Sequence, residues 1–219
     1  MNLKKREDGF TLVELLVATM IGLIIMMAVY SMYRTQQKSF ILQEQMAGMQ
    51  QNLRAAMFYM AREIRMAGCD PTGNAGAGII SATNTSISFT SDFRGDANGS
   101  KFDGDINDLN ESITYSFYDA DGDGDMDIGR DTGDGVQPLA ENIDALDLVY
   151  LNENGSPTST ISEIRSIQIT IVARTGKGDQ GYANTDGDFK NKQDQVIYTA
   201  PSDKFRRKML TTNIRMRNL

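Results

Sequence analysis

A single carboxylate inside a long apolar segment is the first chemically unusual feature of this 219-residue sequence. Glu14 is the only charged residue among the 24 residues from Phe10 to Tyr33. As a helix, this segment would extend about 36 Å, which is enough to cross a hydrocarbon core of about 30 Å. A carboxylate inside such a span is costly in lipid and therefore indicates a function. It is tolerated there when a cation neutralises it, so we expect a positively charged partner for Glu14.

A second group of carboxylates lies in the middle of the chain, where five aspartates fall within nine residues: Asp119, Asp121, Asp123, Asp125 and Asp127. Aligned on an EF-hand-like loop, the first three occupy positions one, three and five, Gly124 the turn position and Asp127 position nine. Arg130 stands at position twelve, where a bidentate Glu is expected. The spacing predicts a weak Ca²⁺ site in a hairpin loop, and the alternative is a solvated acidic turn.

Composition excludes several other kinds of chemistry. The chain contains no His and no Trp, so Ser-His-Asp catalysis and His-liganded zinc are ruled out. Its net charge of −7 is unfavourable for nonspecific binding of nucleic acid, and no nucleic-acid partner is expected. Cys69 is the only cysteine, so no intramolecular disulfide can form. None of the paired carboxylates lies in an apolar run that would raise a pKa for acid catalysis, so we do not expect an enzyme.

One long helix is predicted to carry the apolar segment. Beyond Tyr33 the sequence is more polar, but an apolar stripe continues at helical spacing, and no Pro occurs before Pro71. The stripe consists of Leu42, Met46, Met49, Leu53, Met57, Met60 and Ile64. We expect an unbroken helix from Phe10 to about Ala67, with its second half packed on a sheet.

The remainder of the chain is predicted to form strands. Apolar residues alternate with polar ones in several short segments, which indicates antiparallel strands with one buried face. These segments contain Ile87 and Phe89; Ile113, Tyr115 and Phe117; Leu146, Leu148 and Tyr150; Ile167, Ile169 and Ile171; and Leu210, Thr212, Ile214 and Met216. A helix followed by a run of strands predicts an α+β fold, a long N-terminal helix on an antiparallel sheet.

The residues from Lys4 to Glu14 closely resemble the type III signal of type IV pilins and type II secretion pseudopilins. The resemblance implies that a prepilin peptidase cuts after Gly9 and that the new amine of Phe10 is methylated. It also implies that Glu14 faces the terminal amine of a neighbouring subunit in the fibre. An uncleaved secretory peptide or signal anchor would explain the apolar run, but not Glu14 or the missing Ala-x-Ala site.

Three further segments narrow the resemblance to minor pilins of the PilW type, which are similar to the J pseudopilin of type II secretion. They are Arg62–Pro71, Pro138–Leu146 and Arg206–Asn218. The resemblance implies a pilin-like fold and partnership with other major and minor pilins. It divides the chain into a leader (1–9), a transmembrane or filament-core half-helix (10–34), an amphipathic half-helix (35–67) and a β-rich periplasmic or extracellular domain (68–219).

Lys4, Lys5 and Arg6 precede the span, so the N-terminus is expected in the cytoplasm. The predicted location is the inner membrane as a single-pass protein, and afterwards the pilus, the periplasm or the cell surface. Removal of residues 1–9 takes away three basic and two acidic residues, which changes the formal net charge from −7 to −8.

The function predicted from these features is structural, as a minor pilin in a type IV pilus or in its initiating tip complex. Two alternatives stay open. One is a J-type pseudopilin, and the other is a calcium-dependent adhesin whose loops 72–112 and 176–200 contact a ligand. A basic C-terminal patch is either an interface with an acidic neighbouring subunit or a strand edge that discourages aggregation. The patch comprises Arg206, Arg207, Lys208, Arg215 and Arg217.

Overall fold

The computed structural model describes residues 9–93, 102–119, 122 and 124–219. The described chain is one α-helix followed by antiparallel strands, which confirms the predicted α+β class. Helix α1 spans Leu12–Ile64. The chain divides into two compact units, the first ending at Glu44 and the second running from Gln45 to Leu219.

In the first unit, α1 presents its apolar side chains outward. Every residue from Phe10 to Tyr33 is exposed. Among the described residues, α1 is the single helix that is long and apolar enough to cross a membrane. Soluble monomers rarely expose contiguous apolar patches above a few hundred Å², so this surface indicates contact with lipid or with other protein.

The end of α1 lies in the second unit and differs slightly from the predicted one. The helix stops at Ile64 rather than near Ala67, because the last turn tightens: the Met66 amide donates to the Glu63 carbonyl at 2.8 Å. Gly68 follows with a φ of 73°, and a Cβ there would lie 2.5 Å from the Cδ2 atom of Leu219. The positive φ favours glycine here, and any larger residue would also have to displace the Leu219 side chain.

The strands form three sheets rather than the single sheet predicted. The first has five strands in the order β1 to β5: Ile79–Ala82, Ser86–Thr90, Ser112–Tyr118, Asp127–Asp131 and Gln137–Ala140. The second has the order β10-β7-β6, where β6 is Ile143–Leu151, β7 is Ser166–Arg174 and β10 is Arg207–Arg215. The third is a hairpin of β8, Asp188–Lys190, and β9, Val196–Thr199.

The second half of α1 packs on these sheets through the predicted stripe. From Met49 onward the stripe residues are buried, while Met46 is half-buried. The core places them against apolar side chains of both larger sheets, including Phe89, Tyr115, Leu148, Ile169 and Ile214.

A polar contact fixes the end of α1 to the first sheet. Arg130 on β4 makes two hydrogen bonds to the Glu63 carboxylate, at 2.9 and 2.8 Å. The Tyr115 hydroxyl donates to the same carboxylate. Burial, followed by this bond to Glu63, raises the pKa of Tyr115, so the phenol stays protonated and remains a donor.

The expectation of one buried face per strand is wrong for β7. Gln168, Thr170 and Val172 are buried as fully as the apolar residues that alternate with them. The second sheet is covered on both faces in part because the β8–β9 hairpin contacts β6, where the Asn191 amide donates to Asp147 at 3.0 Å. The β8–β9 hairpin comes from the segment 176–200, and the alternation of residues in a strand does not predict which other segment will cover it.

Candidate functional site

The N-terminal end of α1 carries the residues predicted to direct processing and assembly. Thr11 precedes the first helical residue and Glu14 lies three positions later. The Glu14 amide donates to the Thr11 hydroxyl at 3.2 Å, and the Thr11 amide donates to Glu14 Oε2 at 2.9 Å. This reciprocal pair is a capping box, which satisfies two backbone amides that the helix start leaves without partners.

The Thr11 hydroxyl also donates to Glu14 Oε2, at 2.9 Å. In the isolated chain the Glu14 carboxylate therefore has a local role at its own helix start. The sequence pattern Thr-x-x-Glu is typical of such a box, whereas the position of Glu14 inside the apolar run does not by itself indicate a capping role.

The predicted cleavage junction lies just before this box. Gly9 and Phe10 are both exposed, with Phe10 at 88%. A Cβ added at Gly9 would meet no atom within 4 Å, so nothing in the described chain requires glycine there for packing.

The acidic loop joins β3 to β4, the hairpin that the sequence predicted around it. Asp121 and Asp123 lie outside the described residues. Asp119 Oδ1 accepts a hydrogen bond from the Gly122 amide at 2.7 Å, and Asp119 Oδ2 accepts one from Gly124 at 3.2 Å.

The last two aspartates of the loop contact other parts of the protein. Asp125 forms an ion pair with Arg174 at 2.8 Å, and buried Asp127 accepts a hydrogen bond from the Asn142 amide at 3.1 Å. Within the described ranges, no group of three His, Cys, Asp or Glu side chains is placed to hold a metal ion. The Ca²⁺ site remains a prediction that depends on residues outside those ranges.

The predicted basic C-terminal patch does not form a single surface. The Arg207 side chain is fully buried and donates two hydrogen bonds to the Asp203 carboxylate, at 2.6 and 2.8 Å, and one to Asp144 at 2.6 Å. Arg206 pairs with Asp179 at 2.9 Å and stacks over the Tyr182 ring. Both arginines are paired with carboxylates of their own chain, and the Arg207 side chain is buried, so assigning the two to one exposed basic patch was wrong.

Arg215 and Arg217 instead belong to a group that the sequence did not reveal. Arg62 near the end of α1 lines a cavity together with Arg65 and Arg217. Arg65 and Arg217 also line a second cavity with Arg165, the residue before β7, and Arg215. These five residues are widely separated in sequence. The antiparallel register brings Arg215 opposite Ser166, next to Arg165, and only the folded sheet shows this.

Cys69 has no disulfide partner and is half-buried just after the helix end. Burial raises the pKa of the thiol, and the nearby carboxylates of Asp92 and Asp70 raise it further. A thiol held in its protonated form is a poor nucleophile.

Comparison with known proteins identifies the N-terminal segment. Residues 4–30 match the family model of the prokaryotic N-terminal methylation motif, so the predicted signal is present. A solved structure of a type IV-like pilin from Thermus thermophilus is similar with a TM-score of 0.48 and 13% identity, over 77% of this chain and 97% of that chain. No curated protein matches the chain.

Proposed function

We propose that this chain is a minor pilin, a structural subunit of a type IV pilus or of its initiating tip complex. The observation that carries the proposal is the methylation motif at residues 4–30 on a helix whose apolar residues are all exposed from Phe10 to Tyr33. The motif accounts for processing, and the exposed helix accounts for insertion first into the membrane and then among other subunits.

In this proposal a prepilin peptidase cuts between Gly9 and Phe10 at the cytoplasmic face of the inner membrane. The amine released on Phe10 is methylated and keeps its positive charge. Its position at the start of a helix is electrostatically unfavourable, because the helix N-terminus already carries a partial positive charge. A carboxylate from a neighbouring subunit offsets that cost, and Glu14 is the only carboxylate in the apolar segment.

Assembly then requires the Glu14 carboxylate to release part of its contact with Thr11 and to bind the amine of a neighbouring subunit. In the isolated chain its carboxylate accepts from the amide and hydroxyl of Thr11. A carboxylate has about four acceptor sites, so it can bind the ammonium of the next subunit while keeping one bond of its own cap. This makes Glu14 both the cap of its own helix and the ligand for its neighbour.

The minor-pilin assignment within the class rests on the resemblance of Arg62–Pro71, Pro138–Leu146 and Arg206–Asn218 to PilW-type proteins. The structure gives two of these segments architectural roles. The first contains the helix end at Ile64 and Gly68 after it, and the last contains Arg207 and strand β10. Their partners in this proposal are other pilins, and the location after assembly is the filament.

The test is incorporation into filaments in cells that make them. Sheared and purified filaments should contain the wild-type protein, detected with an epitope tag placed in the exposed turn at Asn154–Gly155. Gly9→Val should leave the protein uncleaved in the inner membrane and absent from filaments. Exclusion of the wild-type protein from both pili and secretion pseudopili would contradict the proposal, and presence only in the pseudopilus would reassign it to that system.

A further inference from the structure

Strand β10 lies at the edge of the second sheet, and its outer side has no partner strand in the part of the chain that the structure describes. Its pairing with β7 contains no register shift over all nine residues of the strand. The residues of β7 between its two ends are all buried, whereas those of β10 from Arg207 to Asn213 are half-buried or exposed. The outer side of β10 is therefore open along most of its length.

The direction of the backbone groups of β10 follows from two contacts at the ends of the strand. The Thr175 amide donates to the Arg206 carbonyl at 2.9 Å, and the Met216 amide donates to the Arg165 carbonyl at 3.0 Å. Even-numbered residues of the strand thus direct their amides and carbonyls toward β7. Because alternate residues of an antiparallel ladder point in opposite directions, the odd-numbered residues direct theirs away from the sheet. These residues form what we call the outer edge of β10: Arg207, Met209, Thr211, Asn213 and Arg215.

The other edge strands of the two larger sheets are short or covered. β1 and β5 have four residues each and a register shift in their ladders, and β5 contains Pro138, which has no amide proton. On the outer side of β6, the Leu148 amide donates to the Asn84 carbonyl at 2.8 Å, and the Tyr150 carbonyl accepts from the Thr158 amide at 3.0 Å. Proteins limit open edges by such devices. A long, regular and uncovered edge therefore indicates a surface that pairs with a strand of another chain.

The charges along β10 indicate which kind of strand fits this edge. β10 contains no carboxylate, and its two exposed charged residues, Lys208 and Arg215, lie near its two ends. The residues between them, 209–214, carry no charge. Opposite charges in cross-strand pairs are stabilising, so the edge favours a strand with carboxylates near both ends and uncharged side chains between them.

A second copy of β10 does not meet this requirement. In an antiparallel pair that overlaps the two strands fully, Arg215 of one copy lies opposite Arg207 of the other. A shift of one residue places Arg215 opposite Lys208 instead, and parallel pairing in register sets each basic residue beside its own counterpart. Like charges directly opposite one another are destabilising. The basic ends of the strand therefore disfavour self-pairing and favour a different, acidic chain.

We infer that the outer edge of β10 binds an extended acidic segment of a different protein, which adds a fourth strand to the second sheet. Main-chain hydrogen bonds to the outer edge supply the affinity, and carboxylates near Lys208 and Arg215 supply the selectivity. The inference goes beyond the proposed function, because it assigns a binding surface in the β-rich part of the chain and does not depend on processing at Phe10.

The experiment uses the mature full-length protein in nonionic detergent and two fluorescent eight-residue peptides, with binding measured by anisotropy. Each peptide alternates threonine and valine between two charged end residues, which are then separated like Lys208 and Arg215. The peptide with glutamate at both ends should bind at least about tenfold more tightly than the peptide with lysine, and salt should weaken this preference. Equal binding of the two peptides, or binding of neither, would overturn the inference.

A proline substitution tests the main-chain contact. The Asn213 amide points away from β7, so Asn213→Pro removes a donor from the outer edge and none from the ladder, a position where edge strands tolerate proline. This variant should bind the glutamate peptide at least about tenfold more weakly than wild type. Asn213→Ala keeps the amide and should bind like wild type, and the two variants should show the same melting curve. Unchanged binding by Asn213→Pro would overturn the inference and assign the peptide to another surface.

A modified peptide repeats the test without any change to the protein. N-methylation of the amides in the glutamate peptide removes its main-chain donors and keeps both carboxylates, so it should abolish binding. Binding that survives N-methylation would show that charge alone holds the peptide and would overturn the inference. Failure in these binding tests, together with a methylated Phe10 and incorporation into filaments, would reject only the strand contact and leave the proposed function in place.

Discussion

At the scale of single residues, Glu14 has two roles that can be separated by substitution. Its carboxylate closes a capping box with Thr11 in the isolated chain, and in the proposed assembly it also pairs with the amine of a neighbour. A Gln at the same position of a capping box can still make the backbone hydrogen bond, but it carries no charge.

This difference gives the first prediction. Glu14→Gln should be cleaved and methylated normally, yet its fraction in sheared filaments should fall to less than a tenth of the wild-type value. Thr11→Val removes the hydroxyl of the box and keeps the carboxylate, so incorporation should fall by no more than about a factor of two. Equal losses for the two variants would show that Glu14 acts only as a helix cap.

Arg207 is the residue whose role differed most from its sequence interpretation. Three charged residues that follow one another predict an exposed basic surface, but the Arg207 side chain is 0% exposed and binds both Asp144 and Asp203. Tyr198 lies within 3.3 Å of the same guanidinium, so one side chain links β10 to β6, to β9 and to the loop before β10.

The second prediction follows from that burial. Removing one partner of a buried ion pair leaves the other charge without compensation, at a cost of about 3–5 kcal/mol. Arg207→Leu should therefore lower the free energy of unfolding by about that amount, measured in urea through tyrosine fluorescence. Arg206→Leu is the matched control: its pair with Asp179 is partly exposed, so a loss of less than about 1 kcal/mol is expected. A loss at Arg206 as large as that at Arg207 would contradict the assigned role.

At the scale of elements, the β3–β4 hairpin holds the acidic loop whose metal binding remains a prediction. Arg174 pairs with Asp125, and the Asn142 backbone amide donates to Asp127. These contacts fix the part of the loop that leads into β4 without a metal. Asp119, Asp121 and Asp123 are the carboxylates at positions one, three and five, and a hard cation with six to eight oxygen ligands would bind there.

Melting of the full-length protein in detergent tests this third prediction. With a dissociation constant of about 10⁻⁴–10⁻³ M, as in extracellular calcium modules, Ca²⁺ at millimolar concentrations should raise Tm by several degrees over chelator. Mg²⁺ should have little effect, because it demands a smaller and more regular site. Asp121→Ala with Asp123→Ala should abolish the shift, whereas Asp103→Ala with Asp105→Ala in another acidic loop should preserve it. The same Tm in chelator and in Ca²⁺ would reduce the loop to a solvated turn.

At the scale of the whole molecule, local patterns predicted the elements and tertiary contacts decided their arrangement. The helix and its buried stripe follow from a 3.6-residue period, and β2, β3, β6, β7 and β10 follow from a period of two. The division into three sheets was not predictable in this way, because it depends on which strands pair. The short strand β5 contains Pro138 and alternates too briefly to give a periodic signal.

The candidate sites also differ in whether they are contiguous in sequence or assembled by tertiary contacts. The N-terminal motif is contiguous, so its residues could be recognised from the sequence, including the Thr11–Glu14 pair that the capping pattern encodes. The group of Arg62, Arg65, Arg165, Arg215 and Arg217 comes from the end of α1, the residue before β7 and the end of β10 with the residues after it, so no single window of sequence contains it. Conversely, Arg206 and Arg207 look like a surface patch in sequence, but the fold pairs them with Asp179 and with Asp144 and Asp203, and it buries the Arg207 side chain.

The measurement that most directly tests the central claim is intact-mass and N-terminal peptide mass spectrometry of the protein purified from its native membrane. The claim predicts a chain that begins at Phe10, with the α-amine carrying one methyl group, and a Gly9→Val variant that keeps residues 1–9 and an unmodified Phe10. A mature N-terminus at any other residue, or an intact leader in the wild-type protein, would contradict the claim that this chain is processed as a pilin-like subunit.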